Sequence, residues 1–413
     1  MKIRSMPEFR NILLSTGKVL REQPARKVGA VVVDKNWFFT LLFVLCLPGL
    51  IIAQDVPQNE IQANMSGYAD NFGVVVLYPN FSITRKVSDG TSFNGRFLVD
   101  AVSAASTKSR FEVDGVTSAT SRENGGADNT PDDLRFQFGG GVNHNFGDRT
   151  AVLNLLYSTE HDYTSTTITG NFIQPLAQNN TIVQVGFVRS MDKVFPQTRF
   201  WKRDLNVTTA TFQITQNLTP RTVVQAIYSH TKNSGHLSDN YQVVTVPTTT
   251  DVVYMEPIHP NSRIRRAAAT RLNYHIFTRS SVQLGYRYYW DDWEVKGHTI
   301  STLFQTYIRD ESIIGVGIRT HQQSKAEFFK KSYTIDDELR TVDPKLDGAS
   351  AVDLQLKLSF PKFPFVKWLP ANENLKYQFA LNWYRRETDS ADWHSRLKTL
   401  YAYNFNFGVR YHY

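Results

Sequence analysis

Hydrophobic and polar residues alternate with a period of two along most of this 413-residue chain. From Tyr401 to Tyr413, every odd position carries an aromatic or aliphatic side chain and every even position a small or polar one. Because successive side chains of a β-strand point to opposite faces, the pattern predicts a strand with one apolar face. The same alternation recurs over residues 282–290, 375–383 and 134–142. The sequence therefore predicts an all-β protein.

Short turns and long polar loops separate these strands. Turn signals lie at 146–150, 177–180, 218–221, 278–281 and 309–312, and long loops at about 102–132, 234–262 and 328–349. Beyond residue 53 no apolar run is long enough for a spanning helix, and lipid admits only helices or closed barrels. We therefore expect an antiparallel up-and-down transmembrane β-barrel of about 16 strands, with 14 as the other possibility. A soluble secreted array of β-sandwiches is the competing interpretation.

Successive strands of an up-and-down barrel run in opposite directions, so the strand count predicts on which side of the membrane each turn or loop lies. If Tyr413 ends in the periplasm, the turns at 146–150, 278–281 and 309–312 are periplasmic, and the three long loops are extracellular.

The first 53 residues are typical of a secretory leader. Eight Lys/Arg and three Asp/Glu precede the apolar run 37–53, and Ala53 offers a small residue for cleavage before Gln54. A signal anchor that stays as a membrane helix is the alternative. We expect a signal peptide at 1–53, a short N-terminal segment at 54–72 and the barrel at 73–413. If the leader is cleaved, Cys46, the only cysteine, leaves with it, which excludes zinc sites, iron–sulfur clusters and haem attached through cysteine from the mature chain.

The net charge of +8 belongs mostly to this leader. Its own balance is +5, which leaves 38 Lys/Arg against 35 Asp/Glu in the mature chain. The basic balance therefore gives no support for nucleic-acid binding.

The chemically informative segment is the loop at 102–132. Asp100–Ser106 reads DAVSAAS and Asp114–Thr120 reads DGVTSAT, so both fit D-[AG]-V-[ST]-x-A-[ST] at an offset of fourteen residues. Each copy ends in a hydroxyl that a phosphate-containing group can esterify, and small neighbours leave the backbone accessible to a modifying enzyme.

The second copy resembles the covalent FMN-attachment motif of the flavinylated subunits of the sodium-pumping NADH:quinone reductase and the related Rnf complexes. In those proteins an FMN transferase that uses FAD joins the final Thr to the FMN phosphate. The resemblance implies Thr120 as the acceptor of covalent FMN. It implies recognition roles for Asp114, Gly115, Thr117 and Ala119.

The first copy departs from this motif. It has Ala101 for the Gly and Ser106 for the acceptor Thr, which makes Ser106 the second candidate, with Asp100 as its recognition residue. The Gly that usually precedes the Ala is Ala104 in this copy and Ser118 in the other.

From about residue 68 to its end the chain also resembles an uncharacterised family of bacterial outer-membrane barrels. The stretches that carry the resemblance are LVDAVSAAS, EVDGVTSATS, STEHDYTS, SGHLSDNY, NSRIRR and YRYYWDDW. Genes of that family often lie beside FMN transferase and small lipoprotein genes. The resemblance implies an outer-membrane location, contact with membrane lipid, and an FMN transferase and envelope redox proteins or a small lipoprotein as partners.

Two other constellations are candidates for chemistry. Asp291, Asp292, Glu294 and His298 follow YRYYW and could bind a cation. His230, His236 and Asp239 flank Ser234 and Ser238, as a hydrolytic site would require.

Three functions follow from the sequence. The first is a flavinylated barrel in extracytosolic electron transfer, a redox carrier more than a catalyst. The second is a passive porin or transporter without a redox cofactor, and the third is an outer-membrane hydrolase or structural barrel.

Overall fold

The computed structural model describes residues 59–104, 133–197, 199–308, 312–361 and 374–413. Within these ranges sixteen strands form one antiparallel sheet that closes on itself through pairing of β1 with β18. They are β1 (Glu60–Asp70), β2 (Val74–Ser88), β3 (Thr91–Ala104), β4 (Asp133–Phe146), β5 (Arg149–Thr159), β6 (Tyr163–Leu176), β7 (Thr181–Val194), β8 (Arg203–Thr219), β9 (Thr222–Gly235), β12 (Ser262–Phe277), β13 (Ser280–Asp291), β14 (Lys296–Tyr307), β15 (Ile313–Gln323), β16 (Ala349–Phe360), β17 (Leu375–Thr388) and β18 (Leu400–His412). The hairpin of β10 (Val244–Pro247) and β11 (Val252–Met255) lies outside the barrel sheet.

Each barrel strand pairs with its sequence neighbours, and β9 pairs with β12 across the small hairpin. This confirms the predicted all-β, up-and-down architecture and its sixteen strands. The closed barrel sheet also excludes the alternative of a soluble array of β-sandwiches.

The first strand corrects the expected start of the barrel. β1 lies inside the segment 54–72, and its register runs from Glu60 opposite His412 to Asp70 opposite Ala402. The alternation is weak here because the outward positions Ala63 and Gly67 are small. The expected leader, 1–53, lies outside the described residues.

The barrel has two different ends. One, which we call the turn end, carries the start of β1, the end of β18 and the turns 89–90, 147–148, 177–180, 220–221 and 278–279. At the other end, which we call the loop end, lie the strand ends that are joined by the connections 105–132, 236–261 and 324–348. The predicted grouping of the three long loops opposite Tyr413 is therefore confirmed. In outer-membrane barrels short turns face the periplasm and long loops the exterior.

The turns follow their local sequence. Gly147 has a φ of 69° in the turn between β4 and β5, a conformation that glycine adopts without steric cost. Ala177, Gln178 and Asn179 adopt the same left-handed region between β6 and β7.

The outward face is apolar and the inward face polar. On β5, Leu153, Leu155 and Tyr157 are exposed on the outside, whereas Asn154 points inward and donates from Nδ2 to Thr169 Oγ1 at 3.1 Å. An apolar outer belt on a closed sheet suits lipid, since the closed sheet satisfies every backbone group internally. The chain therefore forms a β-barrel of the bacterial outer membrane. No helix in the described ranges has the length and apolar character needed to span a bilayer.

Candidate functional site

The first FMN-like motif begins in the last residues of β3, and the second follows in the connection between β3 and β4, whose stems lie at the loop end. Of the candidate residues, only Asp100 falls in the described part of the chain. Ser106, Asp114, Gly115, Thr117, Ala119 and Thr120 lie outside the described residues. Residues 100–104 of the first copy are the last five residues of β3.

Asp100 is held by an ion pair at the base of this connection. It lies directly opposite Arg135 of β4, and its Oδ2 is 2.8 Å from Arg135 Nη2. Arg135 Nε lies 4.0 Å from Oε1 of Glu160, which follows β5. Charge-assisted hydrogen bonds are short and geometrically specific, so this pair joins β3 and β4 where the connection leaves the sheet.

The other long connections fold into a compact apolar cluster, which we call the cap. It contains Leu237, Trp293, Phe329, Leu346 and Leu397, contributed by four separate loop-end segments and all nearly inaccessible to solvent. The cap packs against the inward-facing Tyr163, Val194 and Leu205 near the loop ends of β6, β7 and β8. It therefore occupies part of the barrel mouth.

A second apolar cluster joins the β10–β11 hairpin to the cap. Val244 and Val246 are fully buried against Tyr333 and Val342 of the 324–348 connection. From the sequence we expect only polar loops in these connections, so the hairpin is a correction. The β-branched and aromatic residues in VTVP and VVYM, on either side of a short polar turn, are the signal that could have revealed it.

A buried ion pair supports the cap from the barrel rim. Arg263 donates to Asp291 Oδ2 from Nε at 3.0 Å and from Nη2 at 2.6 Å. The Arg263 guanidinium also lies 4.2 Å from the ring centre of Trp293. Asp291 Oδ1 accepts from the backbone N–H groups of Trp293 and Val295 at 2.9 and 3.1 Å. One carboxylate thus fixes both an arginine and a tight turn.

His259 is a buried titratable side chain that packs against the cap. Its Nδ1 lies 3.1 Å from Leu237 O, and its ring lies edge-on to Trp293 at 5.6 Å. Its Nε2 is buried without a hydrogen-bond partner. Burial lowers the pKa of His259 to about 4, so the ring is neutral at neutral pH with the proton on Nδ1.

The acidic cluster proposed for a cation does not assemble. Asp291 is bound to Arg263, Asp292 accepts from a backbone N–H, Glu294 pairs with Lys296, and His298 contacts Tyr286 on the outward face. Within the described ranges no three His, Cys, Asp or Glu side chains come close enough to hold a metal ion.

The residues proposed for a hydrolase are also separated. Both ring nitrogens of His236 have other partners: Nε2 lies 2.7 Å from Asn240 Oδ1 and Nδ1 lies 3.0 Å from Arg203 Nη1. Ser238 Oγ accepts from the backbone N–H of His259 at 2.9 Å. Neither His236 nitrogen is directed at a serine, so His236 does not form a serine–histidine pair with Ser234 or Ser238.

The inside of the barrel is lined by hydrogen-bonded amides and hydroxyls. Thr209 and Thr231 are joined through their hydroxyls at 2.6 Å, and Gln213 Nε2 donates to Gln184 Oε1 at 3.1 Å. Barrels of this strand number are wide enough to contain water, which suits such a lining.

Comparison with known proteins identifies a family for this chain. The model of a family described as "Protein of unknown function (DUF3570)" matches residues 51–201 and 193–403. No curated protein matches in sequence.

Several solved structures are similar in fold. A bacterial polysaccharide outer-membrane secretin matches at 8% identity and a TM-score of 0.47, covering 87% of this chain and all of the other. A loop-deletion mutant of OmpT from Vibrio cholerae matches at 10% identity and a TM-score of 0.38, covering 86% and 98%. The siderophore receptor PirA from Pseudomonas aeruginosa matches at 9% identity and a TM-score of 0.42, covering 86% and 81%.

Proposed function

Since the chain belongs to the DUF3570 family and forms an outer-membrane barrel, we propose that it is covalently flavinylated and takes part in extracytosolic electron transfer. Thr120 is the proposed acceptor of FMN, within the motif that contains Asp114, Gly115, Thr117 and Ala119. The flavin supplies the redox chemistry, and the barrel holds it at one face of the membrane.

The observation that carries this proposal is the duplicated motif within one connection. Two copies of D-[AG]-V-[ST]-x-A-[ST] follow each other from the end of β3 into its connection to β4, and both stems of that connection lie at the loop end.

The described geometry distinguishes the two copies. In the first copy, residues 100–104 are strand residues: Ala101 pairs with Leu77 and Ala104 with Val74 of β2. The carboxylate of Asp100 is held by Arg135. A transferase that recognises Asp100 and its neighbours would have to separate β3 from the sheet, so modification of Ser106 would have to precede barrel closure. The second copy begins ten residues after β3 ends. This favours Thr120 over Ser106.

In the proposed modification, FMN is transferred from FAD to Thr120. The Thr120 hydroxyl oxygen attacks the FMN phosphate of FAD, a new phosphoester forms, the phosphoanhydride breaks, and AMP leaves with the hydroxyl proton. The proposed partners are therefore an FMN transferase and a redox protein or small lipoprotein. A partner is needed because the apolar belt of such a barrel is about 25 Å tall, more than a loop flavin can bridge.

The test is co-expression with an FMN transferase, followed by a denaturing gel viewed under ultraviolet light. We expect a fluorescent band that Thr120→Ala abolishes and Ser106→Ala leaves almost unchanged. Thr130→Ala is the matched control, because it removes a hydroxyl of the same connection outside both motifs. Absence of fluorescence, or fluorescence that survives Thr120→Ala, contradicts the proposal.

A passive channel is the second candidate, and the polar inner wall is the observation that favours it. Conductance of flavin-free protein in a planar bilayer tests it. The two functions are compatible, because none of the lumen residues named here belongs to the motif connection.

A further inference from the structure

Three basic side chains project into the lumen at nearly the same depth. Arg96 on β3, Arg271 on β12 and Lys357 on β16 lie eight, nine and eight residues from the loop ends of their strands. In the circular strand order, six strands separate β3 from β12, three separate β12 from β16 and four separate β16 from β3. The three side chains therefore approach the lumen from different sides, and we call them the cation ring.

Strand parity establishes that the three side chains face inward. Arg271 Nη1 donates to Oε1 of the lumen residue Gln225 at 3.1 Å. Lys357 shares its face with Asp353, which is buried on the inner wall. Arg96 is flanked in the chain by Phe97, whose side chain is exposed on the lipid side.

Within the described ranges no carboxylate forms an ion pair with Arg96, Arg271 or Lys357. The inward-facing acids of the described strands lie nearer the two ends of the barrel: Glu60, Asp70, Asp100, Asp192, Asp291 and Asp353.

Several of those acids already have partners. Glu60 lies 3.5 Å from Arg410, Asp100 pairs with Arg135 and Asp291 with Arg263. Asp353 is the nearest acid along β16. It accepts hydrogen bonds from the side-chain amides of Gln355 and Asn382, both at 3.1 Å, and lies four residues from Lys357.

The wall between β5 and β9 adds no opposing charge at this depth. Its inward side chains there are the neutral Asn154, Thr169, Gln184, Thr211 and Gln213. In the described part of the barrel wall, the middle of the lumen is therefore positive.

We propose that the barrel lumen is a path for small anions, with Arg96, Arg271 and Lys357 as its selectivity ring. Rings of Arg and Lys side chains select anions in other pores, and a low-dielectric wall concentrates their field on the ion inside. The ligand class is small inorganic and organic anions, such as chloride, carboxylates and phosphate. The proposal is independent of flavinylation, because none of these residues belongs to the motif connection.

The test is the reversal potential of purified, flavin-free protein in a planar bilayer under a KCl gradient. We expect chloride to be more permeant than potassium. The triple variant Arg96→Gln, Arg271→Gln, Lys357→Gln should lower the chloride-to-potassium permeability ratio by on the order of tenfold, with a smaller effect at high salt because ions screen the ring. Each single variant should give about a twofold decrease.

Arg189→Gln is the matched control. Arg189 is on the outward face of β7 and donates to Thr208 and Asn206 at 2.6 and 2.8 Å, so it lies outside the lumen. Its substitution should leave the permeability ratio unchanged. Faster migration of unheated samples on a denaturing gel checks that each variant has folded. If the triple variant does not fold, the single variants decide. A wild-type protein that does not conduct, a cation preference, or a ratio that these variants do not lower would overturn the proposal.

Discussion

Neutralising Asp291 should weaken the cap by leaving a buried cation without its partner. In Asp291→Asn the Arg263 guanidinium keeps its buried position but loses the carboxylate 2.6 Å away. Removing one member of a buried pair costs about 3 to 5 kcal/mol, because the remaining charge stays desolvated. The amide oxygen introduced by this substitution can still accept from the backbone N–H groups of Trp293 and Val295, so the loss should come mainly from charge.

A double substitution separates charge from packing. Arg263→Gln combined with Asp291→Asn removes both charges and keeps polar side chains of similar size. We expect it to recover at least about 2 kcal/mol relative to Asp291→Asn alone, because the unpaired charge is gone. Glu387→Gln is the control: Glu387 pairs with Arg385 at an exposed site, where an ion pair contributes about 0 to 1 kcal/mol.

The assay is equilibrium urea unfolding of protein inserted in phospholipid vesicles. Hydrogen exchange of the turn 292–295, analysed by mass spectrometry, gives the local opening free energy of the same samples. Tryptophan fluorescence follows the change, since Trp293 stacks on Arg263. A double variant as unstable as Asp291→Asn, or an Asp291→Asn protein as stable as wild type, would refute this reasoning.

Three further predictions test the cap and the barrel wall. Burial lowers the pKa of His259 to about 4, whereas the ring of the unfolded cap keeps its ordinary pKa of 6.5. A fall in pH therefore protonates the unfolded cap first, and the free energy of unfolding of the cap should decrease by up to about 3 kcal/mol between about pH 6.5 and pH 4. Limited proteolysis should show this opening, and His259→Phe should flatten the pH dependence. Tyr241→Phe removes a 2.5 Å buried hydrogen bond to Asp162 and should cost about 1.5 to 3 kcal/mol in urea unfolding. Leu155→Arg places a charge in lipid and should cost about 2 to 4 kcal/mol, whereas Leu156→Arg on the lumen side should cost much less; equal effects would contradict the assigned faces.

The barrel was predictable because lipid imposes a period of two on every spanning strand. The exposed Tyr401, Tyr403 and Phe405 lie on the face that the alternation predicts, and the turns at 146–150 and 177–180 fall where the turn residues indicate. β1 escaped prediction because small residues occupy its outward positions, so its apolar face is faint in the sequence.

The cap was not predictable in the same way. Leu237, Trp293 and Leu346 are isolated apolar residues in polar stretches, and only the closure of the barrel brings their loops together. In the sequence alone, the acidic residues around Asp291 resemble a cation site. The sequence does not reveal that Arg263, 28 residues away, supplies the positive charge that pairs with Asp291. The motif Asp114–Thr120 is predicted from sequence, and its role stays a prediction.

Intact-mass analysis of the mature protein purified from its native outer membrane is the most direct test of covalent flavinylation. Fragmentation of the peptide that carries residues 114–120 assigns any added group to a side chain. We expect the mass of a chain cleaved near Ala53 plus one FMN joined as a phosphoester, with the addition on Thr120. A mature chain of unmodified mass would contradict covalent flavinylation.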